Sequence, residues 1–275
     1  MEQAKINELK AVAAEIRLCA LEGVHAAKSG HPGGSLSIAD ILAYLYFYKM
    51  KVDAKNPQDP DRDRFVLSKG HTAPALYGAL ALRGFFPREE IAKLRQVDSF
   101  LQGHPDMKHT PGVDMSSGSL GLGISAAAGM ALSAKISGDA YRVYTIVGDG
   151  ESEEGQVWEA AMFSAHYKLD NLMAFIDWNG LQIDGKVTDV MNPTPLDEKF
   201  KAFGWNVIVI DAHDFEQIEA ACKAARDCKG KPTAVICKSV KGKGVSFMEN
   251  QVGWHGSAPN DEQYAQAVAE LKATL

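Results

Sequence analysis

Residues 142–185 read RVYTIVGDGESEEGQVWEAAMFSAHYKLDNLMAFIDWNGLQIDG. Two near-continuous apolar runs, 142–147 and 172–177, flank a segment with helical spacing, 156–167. Apolar runs of this kind suit strands covered on both faces, and the helix between them suits the crossover of a parallel pair. Working outward, 207–211 and 233–238 read as two more buried strands around a helix at 215–228, and Arg64–Ser68 as a short one. Ile6, Leu9, Val12, Ile16, Leu21 and Val24 recur at helical spacing over 3–28. Ser29–Gly34 breaks that pattern, and Ser37 or Asp40 opens a helix over 38–48. Residues 72–83 read as a helix with Pro74 in its first turn, 121–134 as a helix of small residues, and 261–275 as an amphipathic helix. Residues 98–119, rich in Gly, Pro, Ser and His, form a long loop of the kind that usually carries function. The expectation is an α/β fold, a parallel sheet with helices on both faces, in a single domain of residues 1–275 with a helical N-terminal extension.

Composition narrows the function. A net charge of −6 argues against a nucleic-acid surface, which needs clustered Lys and Arg. Cys19, Cys222, Cys228 and Cys237 include no C-x-x-C pair and read as reduced thiols. The N-terminus MEQAKINELK lacks an apolar signal core, and the apolar stretch at 41–47 is too short for a bilayer, so a cytoplasmic home is expected.

The chemistry concentrates at the strand ends. Asp149 follows one strand and Asn179 the next, and adjacent parallel strands end on the same edge, where ligands bind. A carboxylate and an amide oxygen can converge there on a hard cation. Magnesium favours oxygen ligands and fills its shell with water and phosphate, so Asp149, Asn179 and the carbonyl near Leu181 form a candidate set. Gly150 permits close backbone approach to a phosphate, and the helix after it points its positive end the same way. Four histidines, His31, His71, His104 and His255, stand beside Gly or Pro in loops and suit proton transfer near neutral pH. His166 falls on an apolar helix face, His25 and His213 read as surface or packing residues, and His109 has no assigned role.

GDG followed some thirty residues on by Asn resembles the thiamine diphosphate fingerprint. With SGHPGG at 29–34, SKGH at 68–71, GHPD at 103–106, SGSLGLG at 117–123, KGKG at 241–244 and GWHG at 253–256, nearly the whole chain resembles the N-terminal half of a transketolase. The resemblance implies thiamine diphosphate with Mg2+, or another divalent cation such as Ca2+ or Mn2+, and two-carbon ketol transfer between sugars or sugar phosphates, as in the pentose phosphate reactions. It implies Asp149, Asn179 and the Leu181 carbonyl as metal ligands. It places Lys69, His71, Gly150, Asn179, Lys241 and His255 about the diphosphate and its metal, with Gly118, Ser119 and Leu120 toward the pyrimidine. His31, His71, His104 and His255 would line the substrate channel, and Glu154 and Glu159 would lie at a subunit interface. The family's activating Glu belongs to a second α/β domain, so a C-terminal partner subunit is expected, in an α2β2 heterotetramer. Apolar surface for a partner is expected around 118–131. Ser257 stands where some relatives carry Lys, which leaves the sugar open.

Rival readings are weaker. Gly121-x-Gly123-x-x-Ala126 fits a dinucleotide fingerprint, but no strand precedes it. Another thiamine diphosphate enzyme, deoxyxylulose-phosphate synthase-like or 2-oxoacid dehydrogenase-like, shares the GDG–Asn element, though not the other motifs. A split transketolase for a sulfonated or branched sugar fits as well, and a degenerate, partner-binding half fits the intact site least.

Overall fold

The computed structural model describes all 275 residues. Five strands, β1 (Arg64–Leu67), β2 (Val143–Gly148), β3 (Leu172–Trp178), β6 (Asn206–Asp211) and β7 (Thr233–Lys238), form one sheet in the order β1-β2-β3-β7-β6. Every pairing in it is parallel. The strands alternate their side chains between two apolar layers, as the two-residue period requires. Phe65, Tyr144 and Phe175 face α1 (Gln3–Ala27), α3 (Ala39–Tyr44), α4 (Ala73–Arg83) and α9 (Phe215–Asp227). Val66, Val147 and Ile176 face α5 (Leu122–Ser137), α6 (Gly155–His166) and α8 (Leu196–Ala202). A third, smaller cluster seats α10 (Asp261–Lys272) against α1. The helices on both faces of a parallel sheet bear out the fold read from the sequence.

Three segments differ from the sequence reading. The expected break at 29–34 holds through His31, but its last three residues already open a helix, α2 (Pro32–Ser37), with Pro32 in its first turn. Its glycines are there for packing: a Cβ on Gly33 would lie 2.8 Å from the Trp254 carbonyl oxygen, and one on Gly34 2.8 Å from Thr72 Cγ2. The helix expected over 38–48 ends in a π-helical turn over 45–49. The sequence reading also missed the hairpin of β4 (Leu181–Gln182) and β5 (Gly185–Lys186), the one-turn helix α7 (Val187–Val190), and α8. These elements are too short to show a period; α8 buries only Leu196 and Phe200.

Candidate active site

Strands β2 and β3 run in register, Gly148 opposite Asp177, so their ends bring residues 149 and 179 to one edge. Asp149 is buried. Its Oδ1 accepts from the Gly150 amide at 2.8 Å and its Oδ2 from the Gly180 amide at 2.6 Å. Asn179 Oδ1 accepts from the Leu181 amide at 3.1 Å, and its Nδ2 donates to Asp177 Oδ2 at 2.9 Å. The Leu181 carbonyl accepts from Lys241 Nζ at 2.7 Å. Asp149, Gly150, Asn179, Leu181 and Lys241 all line one cavity of about 480 Å³, within the usual range for small-molecule sites. The helix read over 156–167 spans Gly155–His166, and a 3-10 turn over 150–153 separates it from Asp149.

Three of the four loop histidines meet in this cavity. The rings of His31 and His71 lie 5.1 Å apart, those of His71 and His255 5.2 Å, and those of His31 and His255 5.5 Å. His104 does not join them. It is exposed and lines the adjoining groove with Ser119, packed over Gly118; Gly118 lies between groove and cavity, and Leu120 faces the cavity. Lys241 Nζ lies 2.9 Å from His255 Nδ1, and an ammonium can only donate, so Nδ1 accepts and the ring is neutral. Burial and then the Lys241 charge push His255 down to about 3. Burial and then Arg95 push His31 down to about 4, and burial with Lys69 holds His71 well below its ordinary value. The cluster is therefore uncharged at neutral pH. His31 Nδ1 is buried without a partner and is free to take a hydrogen bond from a ligand.

Lys69 reaches the cavity wall, but its Nζ is occupied: it pairs with Asp177 and donates to the Gly34 carbonyl at 3.2 Å. Lys241, which also lines the cavity, bonds the Leu181 carbonyl and His255 but has no carboxylate partner. Burial, then repulsion from Lys69, lowers it to about 8.

Several residues that shape the site escaped the sequence reading. Asp177 takes hydrogen bonds from Lys69, Ser239, Ser37 and Asn179. Burial pushes its carboxyl up, but Lys69 and these donors outweigh that and hold it below the carboxylate range. Glu151, also buried, accepts from Ser68 Oγ at 2.5 Å and from the amides of Gly121 and Gly148 at 2.9 Å each, tying three strand and helix ends together. A charge set against an apolar strand was the only signal for Asp177; nothing local marked Glu151. His166, read as lying on an apolar face, is exposed against Tyr167. His25 bonds Asp261 at 2.8 Å and stacks on Tyr264, while His213 is a half-buried packing residue held between Asp40 and the Val240 amide.

The residues present fit a metal-bound diphosphate. Asp149 has only backbone N–H partners, and burial and then Asp177 raise it to about 6, which marks a carboxylate short of positive charge. The candidate donors are all oxygen, as magnesium prefers. Gly150 is required by packing, for a Cβ there would sit 2.6 Å from Gln182 Oε1.

The profile of a family described as "Transketolase, thiamine diphosphate binding domain" matches residues 8–274. A 6-deoxy-6-sulfo-D-fructose transketolase subunit from Clostridium sp. (strain MSTE9) is 48% identical over 257 residues, covering 94% of each chain. A subunit of the apulose-4-phosphate transketolase of Phocaeicola vulgatus is 42% identical over 255 residues, 93% of this chain and 90% of that one. The crystal structure of transketolase from Campylobacter jejuni superposes with a TM-score of 0.92 at 33% identity, over 99% of this chain and 43% of that chain. The chain thus spans less than half of that enzyme.

Proposed function

As this chain belongs to the transketolase family, matching its thiamine diphosphate-binding domain, we propose that it is the diphosphate- and metal-holding subunit of a split transketolase. It would act with a C-terminal subunit in an α2β2 assembly, as a single domain of residues 1–275, in the cytoplasm. The observation that carries this reading is the meeting of Asp149, Asn179 and Leu181 at the ends of β2 and β3, in the cavity that also holds the neutral histidines. Two relatives named as subunits, each matched over nearly its whole length, support the split. No helix is long and apolar enough to cross a membrane.

Thiamine diphosphate, when bound, supplies the nucleophilic carbon and the electron sink that C–C cleavage beside a carbonyl needs. The chain's own residues do the rest. Asp149, Asn179 and the Leu181 carbonyl would ligate Mg2+. Lys241, the Gly150 backbone and His71 would bind the diphosphate. Neutral His31 would take a proton from a substrate hydroxyl and return it, while His255, whose Nδ1 is engaged by Lys241, would donate a hydrogen bond from Nε2. His104, Gly118, Ser119 and Leu120, which line the groove and the cavity edge, would face the partner's pyrimidine-binding domain. Lys69 would act by holding Asp177 rather than by touching the cofactor.

The test is reconstitution. The chain, a C-terminal transketolase subunit, Mg2+ and thiamine diphosphate should together transfer a two-carbon unit from a panel of ketoses that includes sulfonated and branched sugars. Neither chain should do so alone. Full activity of this chain by itself would overturn the split. Asp149→Ala should abolish metal-dependent cofactor binding, and unchanged affinity would overturn the metal assignment.

A further inference from the structure

His213 follows strand β6 and reaches across the buried face to two other elements. Its Nδ1 lies 2.7 Å from Asp40 Oδ2 in α3, and its Nε2 accepts the Val240 amide at 3.0 Å. The two contacts fix the ring. A backbone N–H can only donate, so Nε2 carries the lone pair; the proton sits on Nδ1 and Asp40 accepts it. Asp40 is held in turn by Arg17, whose Nε donates to the Leu36 carbonyl at 3.1 Å. The ring is thus braced from α1 and α3, and its free nitrogen points at one amide.

That amide immediately precedes Lys241. Ser239, before it, bonds Asp177, and Lys241, after it, reaches the Leu181 carbonyl and His255. Val240 has no other acceptor. The loop is pinned further on by Gly242, whose amide donates to the Gly33 carbonyl at 2.9 Å. We propose that His213 is a positioning residue, which by accepting the Val240 N–H fixes the loop after β7 and aims Lys241 into the cavity. The inference rests on the proposed function for what Lys241 binds, but not for the loop itself.

Two substitutions separate this role from simple bracing of the fold. His213→Gln places an amide oxygen near the Nε2 position and keeps an acceptor for Val240. His213→Asn keeps a donor near Nδ1 for Asp40 and leaves the Val240 N–H bare. In the full chain with its partner subunit, hydrogen exchange over residues 239–245 and calorimetric binding of thiamine diphosphate with Mg2+ are measured. His213→Asn should speed exchange and weaken binding about tenfold each, the scale of one lost buried hydrogen bond, while His213→Gln stays within about threefold of the parent. The reverse order, or two variants matching the parent, would overturn the proposal. Nitrogen NMR of the imidazole in the unsubstituted chain stands even if a variant fails to fold: an Nε2-protonated ring would also overturn it. If the parent assembly binds no thiamine diphosphate, the proposed function fails, and exchange over 239–245 still decides whether His213 holds the loop.

Discussion

Asp177 shows how much of this site depends on one charge inside an apolar strand. It sits at zero exposure on β3, ringed by Lys69, Ser37, Ser239 and Asn179. Removing one partner of such a pair leaves the other buried and uncompensated. Asp177→Asn should therefore lose ~3–5 kcal/mol of stability, the usual cost of breaking a buried pair. Urea unfolding of the variant reads this directly, and a loss below ~1 kcal/mol, as for an exposed pair, would deny the charge this role. The histidines give a second residue-scale outcome, through pH. His31 in the folded chain titrates near 4, while an unfolded chain takes up that proton near the ordinary 6.5. Between those values the unfolded state binds more protons. The stability His31 contributes is thus fully present above about 6.5 and is lost as pH falls toward 4. The melting temperature should drop over that window, and His31→Phe should flatten the slope; parallel curves would refute the account. At this scale the sequence was legible where strand ends dictate position, as for Asp149 and Asn179. It was opaque where a role depends on distant partners, as for Asp177, Glu151 and His213.

The segment Gly121–Ala126 illustrates the same division for elements. Its G-x-G-x-x-A spacing invites a dinucleotide reading, yet each glycine has another task. Gly121 caps α5 in the left-handed region, φ 83°, and hands its amide to Glu151. Gly123 lets α5 lie on the end of β1, where an added Cβ would come 2.4 Å from the Ser68 Cα. Ser68 Oγ accepts the Ile124 amide and donates to Glu151, so a push here spreads to the β2 end. Gly123→Ala should cost ~1–3 kcal/mol through overpacking. Gly129, on the same helix, meets nothing within 4 Å, and Gly129→Ala should gain ~0.5–1 kcal/mol by helix propensity. Thermal unfolding of the separate chain checks both; equal effects would show that contact with β1 does not set the glycine. The close packing of 121–134 was readable from its small residues, whereas Gly33 and Gly34, read as a break, turned out to be helix contacts of the same kind.

For the whole molecule, the question is what covers the outer face of α5 and α6. Leu122 and Ile136 on α5, and Met162 and Phe163 on α6, stand exposed, and a groove between the helices is lined by Gly129, Glu159 and Phe163. Large apolar side chains exposed along two neighbouring helices suit a protein interface. Apolar surface was expected from the sequence around 118–131; its extension onto α6 was not, because Met162 and Phe163 fit the helical pattern of a core stripe equally well. The interface reading separates assembly from folding. Met162 is 59% exposed, so Met162→Glu removes little packing and should leave the melting temperature of the separate chain within a degree or two, as surface changes do. In the proposed α2β2 assembly the same charge would be buried without a partner, which costs far more than it does in water. Light-scattering mass measurements on the mixed subunits should then show the complex weakened at least tenfold. A complex of full mass and unchanged affinity would place the partner on another face, and the groove between α5 and α6 would lose its assigned role.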